Sequence, residues 1–214
     1  MFKQILCELK CHAPFTIFGA ATGIVIMFFF QSLPHDTAFK IFYILHPLHV
    51  FLSAFVTASM YKLHQARCVN GRCGFWNIFL IGFFGSVGIA TLSDSIIPYI
   101  GEALLKMPNR EAHIGFIEEW WIVNPSAILG IILACFKPAT KMPHSAHVLV
   151  STWASLFHII MAIGVLAFSW YVYAGAFLFL FLAVWLPCCF SDIVFPLLFI
   201  RDSHQKGKVC VCEH

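Results

Sequence analysis

One pattern occurs twice in this chain at a constant separation, and it limits the possible folds more than any other feature. The first copy reads His46-Pro-Leu-His49-Val50-x-x-Ser53, followed by Ser93-Asp94-x-x-x-Pro98. The second reads His144-Ser-Ala-His147-Val148-x-x-Ser151, followed by Ser191-Asp192-x-x-x-Pro196. Every matched residue is displaced by the same 98 positions (49 to 147, 94 to 192), with no gap between the two pieces. A duplication of this kind predicts two similar structural units within one chain, an architecture that recurs among membrane transporters.

The medium follows from composition. Hydrophobic residues make up 60% of the 214 residues and charged residues 11%, whereas soluble domains are about a quarter charged. The mean hydropathy is +0.86. These values predict an integral membrane protein, with room for about six spans of about 20 residues. The amino-terminal stretch carries Lys3, Glu8, Lys10, Cys7 and Cys11 ahead of any apolar core and does not read as a cleaved signal peptide. The net charge is only +3, and no basic cluster points to nucleic acid.

Spans are expected at 14–32, 41–61, 76–100, 120–136, 143–167 and 171–200. Lys and Arg gather in the amino terminus, after spans two and four, and in the tail. The remaining loops are richer in acidic residues, and so the positive-inside rule predicts both termini in the cytoplasm. The fold class expected is all-α: a polytopic membrane protein of six transmembrane helices, arranged as two three-helix repeats over 1–106 and 107–214. Three is odd, so the second copy must cross the membrane in the opposite sense and the repeat is inverted. Spans one and four correspond through Pro14…Gly19 beside Pro125…Gly130. The lipid bilayer is the surrounding partner, and a homodimer is compatible with this architecture.

The chemistry lies in the duplicated residues. His46, His49, Ser53 and Thr57 fall on one helical face, and His144, His147, Ser151, Ser155 and His158 form the same stripe in span five. Asp94 and Asp192 are the only acidic residues in the apolar body, and an intramembrane carboxylate needs a partner. Two imidazoles from a facing helix would provide one. His46, His49 and Asp94, and likewise His144, His147 and Asp192, also form three-ligand sets suited to Zn²⁺ or Fe²⁺. Ser53 and Ser151 read as supports rather than ligands. Depth counting from Lys40 and Glu102 sets the first trio in the outer half of the membrane and its twin in the inner half.

All nine cysteines fall on the expected cytoplasmic side or the inner half: Cys7, Cys11, Cys68, Cys73, Cys135, Cys188, Cys189, Cys210 and Cys212. There they would stay reduced and could receive a soft cation. Glu102, His113, Glu118 and Glu119 read as a solvated outer loop. The sequence carries no glycine-rich phosphate loop, GxSxG or HExxH. The function expected is transport of a divalent transition-metal cation through two symmetry-related His-His-Asp sites, with catalysis the weaker reading. The alternatives are a membrane metalloenzyme, its trios converging on a binuclear centre, and a bis-histidine haem electron carrier with His49 and His147 as candidate ligands, which would need paired histidines on facing helices in each leaflet. Separation of the trios into opposite leaflets favours transport or haem; convergence favours an enzyme.

Overall fold

A computed structural model describes residues 2–30, 32–65, 74–139, 141–163, 170–190 and 195–199. All regular structure among these residues is helical. In chain order the helices are α1 (Phe2–Phe30), α2 (His35–His64), α3 (Phe75–Thr91), a π-helical turn (Leu92–Ile96), α4 (Ile97–Leu104), α5 (Gly115–Glu118), α6 (Trp120–Phe136), α7 (Lys141–Ile163), α8 (Trp170–Cys189) and α9 (Phe195–Leu198). Five segments are long and apolar enough to cross a membrane: Ala13–Phe30, His35–Leu63, Phe75–Leu104, His144–Ile163 and Trp170–Cys188. Helix α6 is apolar but has 17 residues. These features fit a multi-pass membrane protein.

Local chemistry sets the helix ends. Pro34, at φ −58° and ψ 141°, precedes α2, whose first turn carries Asp36 against the positive end of the helix dipole. Helix α4 stops where Lys106 adopts φ 55° and the Met107 N–H bonds to Glu102 O at 2.9 Å, closing the last turn with a left-handed cap. The third expected span therefore runs on to Leu104 instead of ending at residue 100, and this carries Glu102 into a helix.

Helix α2 is the hub. It packs against α3, α6 and α7, while α1 lies on α7 and α8. Gly130 of α6 allows one close approach, because a Cβ there would collide with Phe51 O of α2. The distribution of polarity is inverted relative to a soluble domain. Phe28, Phe29, Trp76, Phe84, Trp121 and Phe136 face outward, while His46, His49, Asp94, Glu102, His147 and His158 are buried. An apolar exterior around a polar interior is what a lipid solvent requires.

Candidate metal centre

Helix α2 places Pro47 between two histidines one turn apart, so His46 and His49 leave the same face toward the π turn. In that turn the backbone pattern widens by one residue, as often happens at functional sites. Asp94 lies at its middle and is fully buried. Its Oδ2 accepts a hydrogen bond from His46 Nδ1 at 2.9 Å and from His49 Nδ1 at 2.6 Å. Its Oδ1 accepts one from Ser93 Oγ at 2.7 Å and one from Ser151 Oγ at 3.0 Å. With four donors the carboxylate is saturated. Both imidazoles are then fixed with the proton on Nδ1, and a lone pair is left on each Nε2.

The His49 lone pair points across the bundle. His49 Nε2 lies 2.6 Å from Nε2 of His147 on α7, and the rings stack with centroids 4.6 Å apart. That distance fits one proton shared between two nitrogens. Cys188 on α8 completes the group: His49, His147 and Cys188 present ligand atoms all within 4.8 Å of one another, and all three side chains are buried. The Cys188 thiol also donates to Ser151 Oγ at 3.6 Å. Pro187 removes the bond that would tie this turn of α8 back to Ala183. Ser155, one turn beyond Ser151 on α7, sets its hydroxyl 2.9 Å from Ser93 O and so fixes the approach of α7 to the π turn.

Among the described residues, two sets of buried groups could therefore hold a metal ion: His46, His49 and Asp94, and His49, His147 and Cys188. The donor chemistry favours the second. A tetrahedral cation with metal–nitrogen bonds of about 2.0–2.1 Å needs its nitrogens roughly 3.3 Å apart, so the two Nε2 atoms would open by less than 1 Å as the cation replaces the shared proton. Asp94 already has a full set of donors and would have to give one up to ligate. Its arrangement is the carboxylate–histidine support found behind metal-bound imidazoles.

The expected placement of one trio in each half of the membrane does not describe His49 and His147, which meet directly. Ser151 also reaches across to Asp94 of the first copy. His144 is half-buried with its ring 6.1 Å from that of His147. Asp192 lies outside the described residues, as do Cys68, Cys73, Cys210 and Cys212. The side chains of Cys7, Cys11 and Cys189 are likewise not described. Cys135 is free, half-buried and remote from this group.

Sequence reasoning missed two features. Cys188 is grouped in the sequence only with the other cysteines of the expected cytoplasmic side, although its place three residues before Ser191 in an apolar helix marks it. Glu102 and His113, expected in a solvated loop, are buried at 1% and 7% exposure. Glu102 Oε1 lies 2.6 Å from His158 Nδ1. Glu118 is the part of that loop that does meet solvent. Burial works to raise its pKa, but hydrogen bonds from Tyr43, the Ile114 N–H and His113 outweigh that and hold it below the ordinary value. Comparison of the chain with family models, with curated proteins and with solved structures gives no match, so the assignment rests on the chemistry of the site.

Proposed function

We propose that the protein is a membrane transporter of a divalent transition-metal cation, built as an inverted repeat, with one composite cation site on the axis between the repeats. The observation that carries this reading is the contact between His49 and His147. They are equivalent residues of the two motif copies, and they meet through the same atom, Nε2. In inverted-repeat transporters the cargo site lies near the midplane, at the interface between repeats. The packing supports such an axis. Helix α2 lies on α6 as α1 lies on α7, α2 on α3 as α7 on α8, and α1 on α8 as α3 on α6. A Cβ on Gly130 would meet Phe51 and Ala54, and one on Gly19 would meet Leu149 and Thr152, each 98 residues further on. The π turn opening at Leu92 has a counterpart at Phe190, the residue equivalent to it.

In this reading the cation displaces the proton held between His49 and His147, and the Cys188 thiolate supplies a soft third ligand. A two-nitrogen, one-sulfur set suits Zn²⁺ better than Fe²⁺. Asp94, and by symmetry Asp192, orient the rings. Rocking of the repeats would then expose the site to each side in turn. The convergence of the two copies also favours a second reading, a metalloenzyme with an open coordination position. Both readings meet one test. Purified chain should bind about one Co²⁺, with a thiolate charge-transfer band that Cys188→Ser removes, and His49→Ala with His147→Ala should abolish binding. Proteoliposomes should take up the cation with the wild-type chain and not with the double variant. Failure to bind Co²⁺ would overturn both readings; tight binding without uptake would leave only the enzyme.

A further inference from the structure

The central site does not use the buried pair Glu102–His158. Both residues are 1% exposed, and each keeps an atom without a hydrogen-bond partner among the described residues, Glu102 Oε2 and His158 Nε2. The described residues packed around the pair are largely aromatic and apolar. Phe42 meets the His158 ring edge to face at 5.4 Å, and α8 contributes Tyr173 to the surrounding apolar cluster. The titratable groups nearby are His113, with its ring 5.4 Å from that of His158, then Tyr43 and Glu118 beyond it, and His46 behind Phe42. Lys106, on the capping turn of α4, is exposed. With one proton the pair is neutral overall; without it a net negative charge is sealed in an apolar cluster, which is costly.

The repeat supplies a built-in control. The residues equivalent to His158 and Glu102 are Met60 and Ile200, both apolar. Glu102 comes from the first repeat and His158 from the second, and the two positions that symmetry relates to them carry apolar residues in the sequence, so the architecture itself does not call for an acid and a base. Position links the pair to the centre. Glu102 lies eight residues beyond Asp94 on the continuing helix, about 12 Å along it. His158 shares its helical face on α7 with His147, Ser151 and Ser155. From the other direction Glu118, whose side chain is 39% exposed, bonds to His113 Nδ1 at 3.1 Å and so joins the pair to the solvent end of the molecule.

We propose that Glu102–His158 is a proton-binding site, loaded through His113 and Glu118, and that its proton is the coupling ion for cation passage; the coupling half of this statement rests on the transport reading above. The pair retains its proton while sealed. It releases it when rocking of α4 and α7 opens that end, and nothing but the proton moves, from Glu102–His158 to His113 and out. Infrared difference spectra of the full chain between pH 5 and 9 should show a titrating carboxylic acid band that is lost in Glu102→Gln. Glu102→Ile with His158→Met, each taking the residue at its equivalent position 98 residues away, should fold and keep the Co²⁺ spectrum of the centre. In proteoliposomes this double variant should lose pH-gradient-driven cation uptake, with proton movement falling to that of protein-free vesicles. A band absent from the wild type, or unchanged in Glu102→Gln, overturns the proton site. A band that titrates with no Co²⁺ bound at the centre overturns the transport reading and leaves the proton site standing. Gradient-driven uptake that survives in the double variant overturns the coupling.

Discussion

Asp94 and Glu102 are the two buried carboxylates among the described residues, and their surroundings differ. Asp94 accepts four hydrogen bonds, two from imidazoles and two from hydroxyls. Glu102 has one partner, and its second oxygen is unsatisfied. A saturated anion is a fixture: every lone pair is committed, and a change of protonation would break several bonds together. An unsaturated one can take a proton at a free oxygen without disturbing the bond it has. The contrast is that Asp94 organises whereas Glu102 exchanges.

The largest effect that would break this contrast is expected at Asp94. Asp94→Ala removes the acceptor for His46, His49, Ser93 and Ser151 at once and leaves buried donors unpaired, at a cost of about 3–5 kcal/mol. Thermal unfolding in detergent should show it, and a loss under about 1 kcal/mol would mean the network is not holding the helices together. Asp94→Asn keeps the shape but alters the tautomers of His46 and His49. Co²⁺ affinity should fall roughly 10–100-fold, as for loss of a supporting carboxylate. His49→Ala should cost more than that, because it removes a ligand. If Asp94→Asn proved the more damaging of the two, Asp94 itself would be the ligand.

A smaller effect sharpens the same point. A Cβ on Gly115 would lie 2.5 Å from His46 Nε2, so Gly115→Ala forces that ring out of its bonded position beside Asp94. Overpacking of this kind costs about 1–3 kcal/mol. A Cβ on Gly88 would meet nothing within 4 Å, so Gly88→Ala should be neutral or stabilising by up to about 1 kcal/mol. Equal melting temperatures for the two variants would show that His46 is not fixed in place.

His46, His49 and Asp94 were legible in the sequence because two signals agreed: spacing that puts both rings on one helical face, and a repeat offset that tied them to one acid. The helical class and five long apolar segments followed from hydropathy, while the fourth expected span is an apolar helix of 17 residues. The meeting of the two copies was not legible. Periodicity fixes which face a residue occupies, but whether His49 pairs within its own copy or with His147 is set by how α2 crosses α7. The burial of Glu102 was missed for a local reason. Its neighbours Lys106, Asn109 and Arg110 look like a loop, whereas the left-handed cap at Lys106 extends the helix past it. Cys188 joins the centre through a turn loosened by Pro187, and the sequence marks it only by its place just before Ser191-Asp192.

The smallest effect concerns a third carboxylate, Glu118, which stands between the other two in character: half-exposed, yet bonded to Tyr43, His113 and the Ile114 N–H. These bonds hold its pKa below the ordinary value, although burial works in the other direction. A carboxylate depressed in the folded state stabilises the fold above the unfolded-state pKa, and that contribution is lost as pH falls through the folded-state pKa. Tyr43→Phe removes one of the donors. The stability gap between wild type and variant should therefore be widest near neutral pH, at about 1 kcal/mol or less given the exposure, and should close in acid once Glu118 is protonated in both. Melting temperatures of the two chains at pH 7 and pH 3 measure the gap directly. A gap that stays constant would make Tyr43 a packing residue, and Glu118 would then be a solvated acid instead of the outer end of the path to Glu102.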